Sequence, residues 1–362
     1  MDNKKDRSGN GTPARFAGDL QALGLLNKIP AALVLDNIPV KLPTVQAPSL
    51  EGLTAELSPR PITQDDLLDR LAELVRQHAQ RRARADGDLV GLGDEVVLDT
   101  IGKVGGRFLP FSIRENWTAL VNPDPLLPGF FEALAGCTVG LSVAVSLTLP
   151  RNYPVEALRG ATARFLVDVK EAYELELPDP QSPEFLASVG RGATLAELLR
   201  QLNADLAQER TDEAARAARE QVLDVLIQRV EVEVPRAVVD EEIRRRWAEA
   251  ERPILERKDF EADELQQALG AWQADPITRA DATRRLKIAL VLAAIAKRDQ
   301  LQPQRDALDT IVGMLTGPAK LPREQLKEVF QRDPAAQERL ANVMMQLAAI
   351  DHVMSKVKFT SP

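Results

Sequence analysis

The hydrophobic period of this chain changes twice, near residues 89 and 178, and the two textures need different architectures. Between those points, short β-branched runs at 95–98, 141–149 and 161–170 are broken by Gly, Pro and Asn. In Val143-Ala144-Val145-Ser146-Leu147-Thr148 and Arg164-Phe165-Leu166-Val167-Asp168-Val169 the side chains alternate as in strands with one buried face. Pro178-Asp179-Pro180 closes the block. Beyond it, Thr194-Leu195-Ala196-Glu197 reads as a capping box, and helical periodicity runs almost unbroken to about Val230. Such a helix reaches roughly 50 Å. Further helices are predicted at 236–250, 261–273, 278–299, 304–315, 323–331 and 335–356. The fold class is therefore α+β, with a small β-rich domain over 89–177 and a helical domain over 178–362.

Upstream, residues 1–38 form a tail, polar up to Arg15. Its pattern of Phe16, Leu20, Leu23, Leu25 and Leu26 would suit a docking helix for one specific partner. Residues 36–62 hold Pro39, Pro43, Pro48, Pro59 and Pro61, which favour an extended linker or arm because proline lacks the amide donor. Thr63-Gln64-Asp65-Asp66 resembles a capping box, and Leu67, Leu68, Leu71, Leu74 and Val75 follow at helical spacing to about Arg84. Arg81-Arg82-Ala83-Arg84 then reads as a cationic last turn that complements the helix dipole. Linker and helix together occupy 39–88.

Composition removes several functions. With 46 Lys+Arg against 54 Asp+Glu, the net charge of −8 disfavours nucleic acid as a partner. The single cysteine, Cys137, excludes a disulfide framework and a cysteine zinc site, and only His78 and His352 offer imidazole. Both lie on predicted helices and read as surface or packing residues, so no metal and no cofactor is expected. Arg244-Arg245-Arg246, beside Asp240, Glu241, Glu242 and Glu249, reads as a solvated face. The longest apolar run, Ile288 to Ala296, is far below the roughly 20 residues of a membrane span. No membrane partner is expected, and the reading is cytoplasmic.

Aromatic residues are scarce, at ten Phe, three Trp and two Tyr, yet eight lie between 89 and 177: Phe108, Phe111, Trp117, Phe130, Phe131, Tyr153, Phe165 and Tyr173. Aromatics at alternating strand positions are usually packing. Tyr153, on a Pro/Asn loop, suits a pocket rim better than a closed core.

The β block reads Gly93-Asp94-Glu95-Val96-Val97-Leu98-Asp99, Gly102-Lys103-Val104, Leu127-Pro128-Gly129-Phe130-Phe131, Leu149-Pro150-Arg151-Asn152-Tyr153 and Leu158-Arg159-Gly160 before Phe165. Downstream come Val232-Glu233-Val234-Pro235, the apolar helix from Arg284 to Ala296, and Asp351-His352-Val353-Met354-Ser355-Lys356-Val357-Lys358. Over roughly residues 40–358 this set resembles the trigger factor family. The resemblance implies an isomerase domain like the FK506-binding proteins beside an elongated helical arm domain. It also implies a chaperone for unfolded or proline-containing client polypeptides with peptidyl-prolyl cis-trans isomerase activity. The family's Gly-Phe-Arg-x-Gly-Lys-like docking motif is absent, so ribosome binding by that route is not expected.

The same resemblance implies a proline-binding cup lined by Phe108, Trp117, Leu127, Phe130, Tyr153 and Phe165. Phe130 would form the floor, Tyr153 would offer its hydroxyl to a substrate carbonyl, and Leu127 would offer its backbone amide. Thr100 stands where the family has an aromatic wall, and Leu109 where an acidic residue is common, which implies a wider cup and weaker catalysis. Cys137 would be a buried, inert thiol in a turn beneath the cup, with Phe111, Phe131 and Tyr173 left to packing. The other reading is a dedicated binding or assembly module that uses the fold, and residues 1–38, to hold one partner without catalysis.

Overall fold

The structure, a computed structural model, describes residues 42–124, 127–302 and 334–360. In chain order these hold β1 (Thr54–Glu56), α1 (Gln64–Gln77), β2 (Gln80–Ala83), β3 (Glu95–Val104), β4 (Arg107–Phe108), β5 (Arg114–Leu120), β6 (Ser142–Thr148) and β7 (Thr162–Glu176). Then follow α2 (Pro183–Val189), α3 (Leu195–Gln228), α4 (Arg236–Ala250), α5 (Arg252–Arg257), α6 (Ala262–Ala274), α7 (Pro276–Arg298), α8 (Pro334–Met354) and β8 (Lys358–Thr360). The expected helices at 304–315 and 323–331, and the tail 1–38 with its docking segment, lie outside the described residues. None of the described helices is long and apolar enough to cross a membrane.

The chain divides into two compact units, each assembled from separated segments. The sheet unit holds 61–209 and 240–282. The helical unit holds, within the described residues, 42–60, 210–239, 283–302 and 334–360. Each has its own core.

In the sheet unit an antiparallel sheet runs in the order β2-β7-β3-β4, with β5 also paired to β3 and β6 to β7. The strands β3 and β7 form its centre, and β7 alternates buried Ala163, Phe165, Val167 and Val169 with outward residues, as expected from its sequence. Their inward side chains join Val96, Leu98, Val121, Phe130, Leu134 and Leu149 in one core. A bulge in β3 falls at Asp99, between the pairings of Leu98 and Thr100 with β5. It turns a carboxylate inward. Asp99 accepts from the Asn116 amide at 2.8 Å and from Lys258 Nζ at 2.8 Å, and Lys258 also reaches Asp168 at 3.3 Å. Burial alone would raise the Asp99 pKa, but these donors outweigh it and hold the carboxyl below its ordinary value.

The helix from residue 63 begins as predicted: Thr63 Oγ1 accepts from the Asp66 amide at 3.2 Å, and Asp66 returns to the Thr63 amide at 2.9 Å. It ends sooner. Arg81 to Arg84 are not its last turn, because α1 stops at Gln77 and Gln80–Ala83 is an edge strand pairing with Tyr173–Glu176 of β7. There the Arg81 guanidinium lies 4.1 Å from the Tyr173 ring centroid, and Arg84 Nη2 donates to buried Asp94 Oδ1 at 2.9 Å. The box at Thr194 is half formed: Thr194 Oγ1 accepts from the Glu197 amide at 3.2 Å, while the Glu197 carboxylate takes the Ala193 amide at 2.8 Å, one residue before the cap.

The helical unit closes around Leu53, Ala218, Val222, Leu226, Val291, Ile295, Ile350 and Val353. Residues 36–62 are more than a linker where they are described. Leu53 and Ala55 are core residues, and β1 pairs in parallel with β8 at the other end of the chain. Arg229 Nη1 donates to the carbonyls of Ser49 and Glu51 at 2.6 and 2.9 Å, and Arg298 Nη1 to that of Pro48 at 2.7 Å. These bonds satisfy a proline-rich segment that a regular sheet would leave unpaired.

Candidate functional site

A cavity of about 260 Å³ opens in the sheet unit. Its lining includes Trp117, Leu127, Phe130, Tyr153 and Phe165, five of the six residues expected from the resemblance. Phe130 is 1% exposed and meets Phe165 edge-on at 5.2 Å and Phe131 edge-on at 5.1 Å. Trp117 tilts against both Phe130 and Phe131, at 6.2 and 5.6 Å. Offset and T-shaped geometries at these distances add to burial. One wall is therefore a fixed aromatic surface.

Phe108 is the sixth residue, and it does not line the cavity. Its strand pairs Phe108 with Lys103, and alternation sends the ring to the opposite face, where it meets Phe260 at 6.0 Å beneath the Lys103 ammonium. Leu109, one residue on, lines the cavity in its place. The Leu127 amide, expected to face a substrate, is directed to Asp124 Oδ1 at 3.4 Å. Thr100 lines the cavity as well, with its hydroxyl donating to the Ser112 carbonyl at 2.8 Å.

Local sequence explains how the wall is held. Gly102 lies where a Cβ would meet Phe165 Cε1 at 2.7 Å and Ser112 Cβ at 2.9 Å, so only glycine lets strand, ring and loop approach this closely. Ser112 Oγ accepts from the Gly102 amide at 3.0 Å and donates to the Leu109 carbonyl at 2.6 Å. The segment from Leu109 to Ile113 is thereby pinned to β3.

Phe111 was expected to be packing. Instead it lines the cavity mouth, 47% exposed, with φ of 64°. Its ring lies 4.2 Å from that of Trp272 on α6. Below it, Glu251 is 2% exposed and accepts from Trp272 Nε1 at 2.7 Å and the Ile113 amide at 3.4 Å. Burial pushes the Glu251 carboxyl up to about 7, against the opposing pull of these donors and of the Phe111 amide. The cavity is completed by Asp275 and Ile277, from the junction of α6 and α7. No sequence signal linked Glu251, Trp272 or Asp275 to an aromatic cluster far upstream.

Tyr153 stands half-buried, its hydroxyl without a hydrogen-bond partner among the described residues. Burial, and secondarily Asp275, push its pKa up, so it remains a neutral donor. Cys137 is half-buried, less than expected, with its thiol donating to the Ala133 carbonyl at 3.2 Å and its pKa raised by burial. It does not line the cavity. His78 caps α1 through the Leu74 carbonyl and packs edge-on against Phe185, while His352 pairs with Asp299 at 3.0 Å.

Chemically, the site offers an apolar, aromatic-walled recess with one free phenol. That arrangement can grip a small ring and hold an adjoining amide away from water.

Residues 194–355 match the model of the bacterial trigger factor protein C-terminus. The chain is 24% identical to a trigger factor of Actinobacillus pleuropneumoniae over 88% of its own length and 70% of that protein's. It is 28% identical to one of Halothermothrix orenii over 80% and 67%, and 28% identical to one of Bacillus cytotoxicus over 87% and 73%. A solved trigger factor chaperone structure aligns over 86% of this chain and 73% of its own at 16% identity, with a TM-score of 0.36.

Proposed function

We propose, from the match of residues 194–355 to the trigger factor C-terminus and the similarity to trigger factors over most of the chain, a chaperone for unfolded polypeptides whose cup catalyses peptidyl-prolyl isomerisation. The observation that supports catalysis is the cavity of Trp117, Phe130, Tyr153 and Phe165, completed by Leu109, Phe111 and Ile277. Rotation about an X-Pro bond faces about 18–20 kcal/mol because amide resonance must be broken. Each tenfold acceleration takes about 1.4 kcal/mol of transition-state stabilisation, and no nucleophile is needed. The dry aromatic wall grips the proline ring and disfavours the charge-separated, planar amide. The Tyr153 hydroxyl donates to a carbonyl of the flanking peptide and fixes its orientation.

The chaperone half is supported in the helical unit by an apolar groove of about 320 Å³ lined by Leu42, Val234, Val238, Leu286, Leu290 and Met345. Such a groove takes apolar segments of unfolded chains without sequence preference.

The full chain, added at micromolar concentration to a chemically unfolded client, tests both halves. Light scattering on dilution should fall in proportion to the chaperone present, and the slow, proline-limited phase of client refolding should shorten. Unchanged scattering would refute the chaperone half; an unchanged slow phase would refute catalysis.

A further inference from the structure

Asp275 stands at the cavity wall and is 8% exposed. Its structural task is plain: it caps the N-terminus of α7, with Oδ2 accepting from the Thr278 amide at 2.7 Å and the Thr278 hydroxyl at 2.6 Å. Both bonds fall on the same oxygen. No donor reaches Oδ1 among the described residues, and no cation is paired with the carboxylate there. A cap requires one oxygen, so the second oxygen keeps its acceptor capacity at the edge of an apolar recess, open to a ligand.

The other charge at the cavity is already engaged. Arg114 lies over the Trp117 ring at 4.4 Å and donates through Nε to the Phe111 carbonyl at 3.4 Å. Asp275 is close enough to Tyr153 to contribute to the raised pKa of its hydroxyl, the group assigned to orienting the peptide beside the proline. A cationic side chain on a residue flanking that proline would meet the free carboxylate oxygen.

Resting on the isomerase reading above, we propose that Asp275 is a specificity-determining residue that selects peptides carrying lysine or arginine next to the proline. An acidic neighbour is disfavoured by the same charge.

The experiment compares three otherwise identical short peptides with Lys, Ala or Glu before the proline, using the full chain and its Asp275→Asn variant. Asparagine keeps the cap through its own side-chain oxygen, so folding is preserved while the charge is removed. The native chain should give kcat/KM in the order Lys, Ala, Glu, with Lys over Glu by roughly fivefold at low salt. In the variant that ratio should collapse towards one. A ratio near one in the native chain, or one unchanged by the substitution, overturns the proposal while leaving isomerisation intact. If no peptide exchanges above background, the isomerase reading fails, and binding followed by intrinsic tryptophan fluorescence decides the selectivity. A lysine preference lost in the variant then supports the proposal, and equal affinities, or no binding, overturn it.

Discussion

Phe111 lies against Trp272 with ring centroids 4.2 Å apart, so that an aromatic at the cavity mouth is carried by a helix more than 150 residues further along the chain. Beneath the pair, Glu251 holds the Trp272 indole and the Ile113 amide. The rim of the cup is therefore built by segment 240–282 as much as by the sheet.

That buried carboxyl makes stability depend on pH. Its folded pKa of about 7 lies above the 4.5 of an ordinary glutamate, so the folded state holds the proton more tightly. Its stabilising contribution is complete below pH 4.5 and is lost as pH rises through about 7. The loss amounts to about 3 kcal/mol. All three tryptophans lie in the sheet unit, so denaturant unfolding followed by their fluorescence reads it. The native chain should lose stability between pH 5 and pH 8, and Glu251→Gln should remove that slope.

Phe111 holds a left-handed backbone conformation that costs an L-residue about 1 kcal/mol or more. Phe111→Gly and Phe111→Ala both delete the ring, but only glycine relieves the backbone. Thermal unfolding should find the glycine variant more stable than the alanine variant by about 1 kcal/mol. Both should raise KM for proline peptides.

Phe130 and Tyr153 should separate core from chemistry. Phe130→Ala removes a ring that is 1% exposed and should cost about 3–5 kcal/mol in denaturant unfolding. Tyr153→Phe deletes a hydroxyl with no partner among the described residues and should shift stability by less than about 0.5 kcal/mol. It should lower kcat/KM by roughly threefold to tenfold, the worth of one hydrogen bond.

Gly102→Ala drives a methyl against Phe165 and Ser112 at distances below 3 Å. Overpacking of this kind costs about 1–3 kcal/mol. Because Phe165 lines the cavity, peptide affinity should fall together with the unfolding midpoint.

Much of the sheet was legible because β6 and β7 alternate cleanly and their apolar sets face one core. The edge strand β2 was not. Gln80 to Ala83 are all exposed, so they carry no alternation, and arginine and alanine favour helix by intrinsic propensity. Only backbone pairing with β7 makes them a strand. Five residues that line the cavity were named from the family resemblance, whereas Phe108 stands off that cavity because a two-residue strand fixes its face by register alone. Glu251, Trp272 and Asp275 were not legible at all. Trp272 sits in an ordinary helical pattern and Glu251 and Asp275 at junctions between helices, and only the tertiary fold brings them to the cup.

The account rests on the cup being a catalyst. The most direct measurement is two-dimensional exchange NMR on an Ala-Pro peptide with catalytic amounts of the full chain, compared with Tyr153→Phe. Uncatalysed exchange takes roughly 10–100 s. The account predicts exchange accelerated well beyond that rate by the native chain and less so by the variant. Exchange at the uncatalysed rate with micromolar native protein, or acceleration that Tyr153→Phe leaves untouched, would contradict it.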